Sequence, residues 1–326
     1  MGYEKVRVIL LAVPAAAFLA VLGLTPQWTF GQDRPSDPIT RPVVSEETSQ
    51  LEPISPVAED GNRGQGFLRK PPGRGPFPAV VWIHGGLSTR PVEELKEYAL
   101  STPNPSRFLA AGYVVMVITY RSRDEDPQSN VSLKDCLAAI AYLRRLPYVD
   151  PKSIVISGCS GGGDLALEVA AATHVTAIAA EEPATVLFTG LLNKGVPKAG
   201  ERYAPGDGAA ILADPKRYYT ANYQKMTREK IERIRSPILI QQGDQHALDR
   251  FNAEVLLPEL RSARKNFEVI TYPGEPHCFA FYGSGPRTPR PAAALKAFHD
   301  ADAFFRRYLH TKPKSLDPKL VKQVPI

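Results

Sequence analysis

The chain has 326 residues, 43% of them hydrophobic and 23% charged, and a net charge of +6. That is long and apolar enough for one large α/β domain with a substantial core. The basic balance is mild and partly sits in a C-terminal cluster of Lys312, Lys314, Lys319 and Lys322. No basic–aromatic stripe accompanies it, so a nucleic-acid role is not expected.

Lys5 and Arg7 precede an uncharged apolar run over residues 8–24, the pattern of a secretory signal peptide. The expected cut lies near Gly31, giving an exported protein, periplasmic or secreted, with no stable membrane insertion after cleavage. Pro14 and Gly23 interrupt the run, which makes an uncleaved membrane anchor the alternative. Residues 32–64 are rich in Pro, Ser, Asp and Glu and read as a disordered linker. The main domain is expected over residues 65–310, with a basic tail over 311–326.

Within the domain, apolar runs alternate with helical patterns. Strands are expected at residues 79–83 and 113–120, and a helix over 133–146, where Leu133, Leu137, Ile140 and Leu143 have helical spacing. The chain then reads Ile154-Val-Ile-Ser-Gly-Cys-Ser160-Gly-Gly-Gly-Asp164. This is Gly-x-Ser-x-Gly between a buried strand and a helix, the context of a nucleophile elbow. A turn that tight needs residues without a Cβ, and it lifts the serine hydroxyl off the sheet edge. No Gly-Lys-Ser/Thr follows, so a phosphate-binding loop is not expected. A strand at 175–180, an irregular stretch at about 183–235, strands at 238–240 and 267–271, and a final helix at about 292–308 complete the order. The irregular stretch carries Tyr203, Tyr218, Tyr219 and Tyr223 and reads as a lid with an aromatic wall; a helical excursion packed on the sheet is the alternative. Fully apolar strands alternating with helices indicate an α/β fold with a mostly parallel central sheet and helices on both faces.

The order of His84-Gly85-Gly86, Asp135, Val149-Asp150-Pro151, Gly158-Cys159-Ser160-Gly161-Gly162 and Pro273-Gly274-Glu275-Pro276-His277 resembles the α/β-hydrolase fold. Within that superfamily it is similar to the prolyl-oligopeptidase-like and dienelactone-hydrolase-like branch. The resemblance implies Ser160 as nucleophile, His277 as base, and the N–H groups of Gly86 and Gly161 as oxyanion hole. His84 is similar to the structural histidine beside an oxyanion loop. No cofactor is needed, and no His/Asp/Glu cluster has metal-ligand spacing.

At the third catalytic position the sequence departs from that branch. The expected Asp position after the penultimate strand holds His246, flanked by Asp244 and Asp249 out of register. Asp244 can shape the turn and Asp249 can cap the next helix. Glucuronoyl esterases, locally similar at the elbow, take a glutamate from the strand end that here reads Ala180-Glu181-Glu182-Pro183. Some bridge the elbow cysteine to a cysteine beside the catalytic histidine. That resemblance implies Glu182 as the acid, with Asp249 and Asp244 as alternatives, and a Cys159–Cys278 disulfide that leaves Cys136 free.

The expected function is therefore an exported serine hydrolase acting on a small-molecule or carbohydrate ester. A prolyl-oligopeptidase-type peptidase and a non-catalytic binding protein are the alternatives.

Overall fold

The computed structural model describes residues 50–123, 126, 128–192, 208–282 and 291–316, leaving aside the side chains of 281, 282 and 291. The expected signal peptide, the first part of the linker, Tyr203 and the end of the basic tail lie outside the described residues.

Among the described residues, eight strands form one sheet in the order β1-β2-β4-β3-β5-β6-β7-β8. These are β1 (Leu51–Ile54), β2 (Gly66–Arg69), β3 (Phe77–Ile83), β4 (Val114–Ile118), β5 (Val149–Cys159), β6 (Ala177–Glu181), β7 (Ile238–Gln242) and β8 (Phe267–Thr271). The first two pairings, β1 with β2 and β2 with β4, are antiparallel, and all others are parallel. The helices are α1 (Val92–Ser101), α2 (Pro103–Ala111), α3 (Val131–Arg144), α4 (Gly161–Ala172), α5 (Thr185–Phe188), α6 (Gly208–Ala213), α7 (Pro215–Tyr218) and α8 (Ala221–Arg233). After β7 come α9 (Ala247–Phe251), a π-helical turn Asn252–Leu256 and α10 (Leu257–Ser262), then α11 (Phe279–Tyr282) and α12 (Pro291–Tyr308).

The central strands β3 and β4 are apolar throughout because both faces are covered. Alternation along each strand divides its side chains between two cores. Ala79, Val81 and Ile83 of β3 join Val114, Met116 and Ile118 of β4 and Ile154 and Ile156 of β5 on one face. Val80 and Trp82 join Val115, Val117 and Val155 on the other, under Phe298, Phe304 and Phe305 of α12. Each fully buried side chain of this size contributes about 1.5–3 kcal/mol of transfer free energy.

The ordered domain begins earlier than residue 65, which corrects the expected linker. β1 pairs residue for residue with β2, and Ile54 is buried in the main core. Pro53 is tolerated because β1 is the edge strand, where a missing N–H costs nothing on the open side. Asn62 Nδ2 donates to Asp135 Oδ1 at 3.0 Å, tying the following loop to α3. The start of the tail is also docked: Thr311 N–H donates to Ser153 Oγ at 2.7 Å, and Leu316 N–H to the Ala110 carbonyl at 2.9 Å.

The described part of the 183–235 region is helical. Ile231 of α8 sits in the main core, and Lys230 Nζ reaches Glu168 of α4 at 2.6 Å. Tyr218, Tyr219 and Tyr223 are half-buried against Leu187, Leu248, Phe251 and Val255. These three rings thus pack the insertion onto the helix that follows β7 rather than standing as an open wall.

Candidate active site

Parallel register brings the site together. Cys159, Glu181 and Gln241 are paired across β5, β6 and β7, so β5 and β6 end at one level of one sheet edge and β7 ends one residue beyond it. The next residues are Ser160, Glu182 and Gln242, and the loop beyond β8 adds His277. Loops at the carboxyl ends of such strands are where α/β folds build sites.

Ser160 has φ 54° and ψ −116°, a strained conformation for a residue with a side chain, costing about 1–3 kcal/mol. The strain is held by neighbours. Ser160 N–H donates to the Glu181 carbonyl at 2.9 Å, and the Ser160 carbonyl accepts from Asp164 N–H and Ala184 N–H, each at 2.9 Å. The elbow admits no side chains at its glycines. A Cβ on Gly162 would lie 2.3 Å from the Ile83 carbonyl oxygen, and one on Gly161 would lie 2.1 Å from that of Gly86. Gly161 and Gly86 (φ 86°) therefore face each other beside Ser160. Among the described residues, neither of their N–H groups donates to a protein acceptor. The Gly86 loop is shaped from below: Tyr120 Oη donates to the Gly86 carbonyl at 2.7 Å. His84 is fully buried, stacked on Tyr120 and bonded to Thr119 Oγ1, and burial pushes it down to about 3, so its ring is neutral.

Glu182 is fully buried and saturated with donors. Its Oε1 accepts from Gly243 N–H at 2.6 Å, and its Oε2 from Cys278 N–H at 2.9 Å and from His277 Nδ1. The His277 side chain is 18% exposed. Cys159 and Cys278 form a disulfide with Cα atoms 5.9 Å apart, and Cys136 is free and buried. Ser160 and His277 are thus flanked by one covalent bridge. Among the described residues, Ser160 Oγ and His277 are not hydrogen-bonded to each other; such contacts often tighten only when substrate is bound.

The two alternative acids are engaged elsewhere. Asp244 Oδ1 accepts from Gly274 N–H at 2.8 Å and shapes the loop before His277. Asp249 Oδ2 accepts from His246 N–H at 3.2 Å, half of a capping box on α9. Burial, then the charge of Glu182, push Asp249 up to about 7. One contact was not foreseen: the His246 ring lies stacked on His277, centroids 4.2 Å apart and planes 20° apart. The only signal in the sequence is that a histidine fills the place where an acid is expected. His310 is engaged elsewhere, bonding Asp150.

Among the described residues one cluster has metal-ligating atoms close together, namely Cys159, His277 and Cys278, and its two sulfurs are bonded to each other. No helix among the described residues is long and apolar enough to cross a membrane.

Comparison with known proteins bears on this edge of the sheet. The model of the family described as BAAT / Acyl-CoA thioester hydrolase C terminal matches residues 137–306, which include the elbow, Glu182 and His277. The chain belongs to that family. The BD-FAE model matches residues 68–194. Human acyl-coenzyme A thioesterase 6 is 24% identical over 289 residues, covering 79% of this chain and 66% of its own length. The chain thus spans slightly less than two thirds of that relative. Among solved structures, esterase Est22 superposes with a TM-score of 0.57 at 16% identity, over 80% of this chain and 81% of that one. A puromycin-hydrolyzing peptidase of Mycobacterium tuberculosis gives 0.58 at 19% identity, over 82% of this chain and 41% of its own. Family and fold together make this BAAT / acyl-CoA thioester hydrolase relative an α/β-hydrolase.

Proposed function

We propose that the protein is an exported serine hydrolase that cleaves carboxylic esters through a Ser160 acyl-enzyme. The observation that carries the reading is the bond from His277 Nδ1 to the Glu182 carboxylate, made beside a serine held in elbow geometry. Glu182 fixes the His277 tautomer with its proton on Nδ1, leaving Nε2 as the base. His277 Nε2 takes the Ser160 Oγ proton as Oγ attacks the ester carbonyl. The Gly86 and Gly161 N–H groups receive the oxyanion. His277 then returns the proton to the departing alcohol, and water repeats the sequence on the acyl-enzyme.

Thioester hydrolysis is the second reading, supported by the family. The same acyl-enzyme serves it, but a thiolate leaves without the proton that an alkoxide needs. The Cys159–Cys278 bridge favours the oxygen ester, because disulfides persist in oxidising compartments, as does the signal-like pattern over residues 8–24. N-terminal sequencing of the exported protein should find a start near Gln32; an intact Met1 in a membrane fraction would contradict cleavage.

A fluorophosphonate probe tests the chemistry. Labelling of wild type that vanishes in Ser160→Ala is expected, together with turnover of p-nitrophenyl acetate and no cleavage of an X-Pro peptide. Preferred turnover of an acyl-CoA would favour the thioester reading. Cleavage of the peptide would favour a peptidase, and a folded sample that does not label would favour a binding protein.

A further inference from the structure

Glu182 holds His277 by a hydrogen bond at Nδ1. The backbone beside the ring is fixed as well, through Cys278 N–H on Glu182 and through the disulfide. These contacts fix the ring at its edge but leave its two faces without support against tilting, a motion that would displace Nε2. A contact on the face of the ring removes that freedom, and His246 supplies one, with centroids 4.2 Å apart and planes 20° apart.

The His246 ring is itself anchored. Its Nδ1 accepts from Leu248 N–H at 3.2 Å, while the backbone N–H of His246 donates to Asp249 Oδ2 at 3.2 Å, so one half of the capping box holds the ring and the other holds its backbone at the start of α9. We infer that His246 is a positioning residue of the hydrolase proposed above, covering one face of His277 so that Nε2 stays aimed at Ser160 Oγ. The inference rests on that catalytic reading.

Chemistry suits the role. A nitrogen that accepts a hydrogen bond carries no proton, so His246 is a neutral ring protonated at Nε2 only. His277 becomes cationic in each transition state. The face of a neutral ring attracts a cation, whereas a second imidazolium would repel it. Burial, then the charge of His277, hold His246 down to about 4, with Glu182 pulling the other way.

Two variants separate the stack from the cap. His246→Asn keeps an N-cap acceptor and loses the aromatic face. His246→Phe keeps the face and loses the acceptor. The measurements are the rate of fluorophosphonate labelling, kcat and KM for p-nitrophenyl acetate, and Tm. His246→Asn should keep its Tm and KM while labelling rate and kcat fall about tenfold. His246→Phe should lose a few degrees of Tm, on the order of one lost cap, yet keep kcat within about threefold. An Asn variant that labels as fast as wild type overturns the positioning role alone, as does a Phe variant slowed as much as the Asn variant. A wild type that neither labels nor turns over the acetate overturns the hydrolase reading and this inference with it.

Discussion

The strand ends after β6 and β7 both bring carboxylates to the same edge of the sheet, and the chain uses them differently. After β6, Glu182 turns back at φ 41°, fully buried, and accepts three hydrogen bonds from two other loops. After β7, Asp244 reaches across to Gly274 N–H and shapes the loop before His277, and Asp249 closes a capping box on its own helix. The difference is one of register and donors. A carboxylate supports an imidazolium only where it hydrogen-bonds the ring and where its charge is already solvated by protein N–H groups. Glu182 meets both conditions. Asp249 is turned to the His246 backbone N–H instead, and its Oδ1 is buried without a partner among the described residues.

The most severe way to break this comparison is to neutralise each acid in turn. Glu182→Gln keeps shape and removes charge, and kcat should fall by about 10³–10⁴. Asp244→Asn and Asp249→Asn should stay within severalfold of wild type. Ester turnover measured on the three folded variants decides the matter. A dead Asp249→Asn beside an active Glu182→Gln would move the acid to the β7 loop.

The fold was legible because fully apolar strands with turn signals between them leave few alternatives. Ser160 and His277 could be placed at one sheet edge from their order alone. β1 was hidden because Leu51-Glu52-Pro53-Ile54 shows neither alternation nor a β-branched run; only Ile54 is buried, and the pairing partner lies beyond the next loop. The inward packing of Tyr218, Tyr219 and Tyr223 was equally hidden, since their partners Leu248, Phe251 and Val255 come from another helical segment. The stack of His246 on His277 depends on two loops 31 positions apart meeting face to face, which no local pattern encodes.

The β6 end differs from the β7 end in a second way: it adjoins a covalent tie. The Cys159–Cys278 bridge closes a segment of 119 residues and joins the elbow to the His277 loop. Constraining so long a loop in the unfolded chain is worth about 2–4 kcal/mol in typical cases. The double variant Cys159→Ala/Cys278→Ala should lose about 10 °C in Tm. Peptide mapping without reductant should find both cysteines resistant to alkylation in wild type. Free alkylation of both, or a Tm unchanged by the double variant, would remove the tie from the comparison.

The smallest effect isolates the β7 acid and concerns pH. Asp249 has a folded value of about 7 against an ordinary 3.8, chiefly from burial and then from the negative charge of Glu182. A value raised on folding means that the fold accommodates the protonated form better than the carboxylate. The unfolded chain loses its proton near the ordinary value, while the folded chain keeps it until about pH 7. Stability from this group is therefore fully present below about pH 4 and declines as pH rises through 7. Asp249→Asn cannot ionise, and its amide oxygen can still accept from His246 N–H. Between pH 5 and 8, wild-type Tm should fall more than that of Asp249→Asn, by a few degrees, with the two curves closest at the acid end. Thermal melts of both proteins in matched buffers test this. Parallel curves would mean that Asp249 ionises normally in the fold, and the contrast drawn between the two strand ends would then rest on geometry alone.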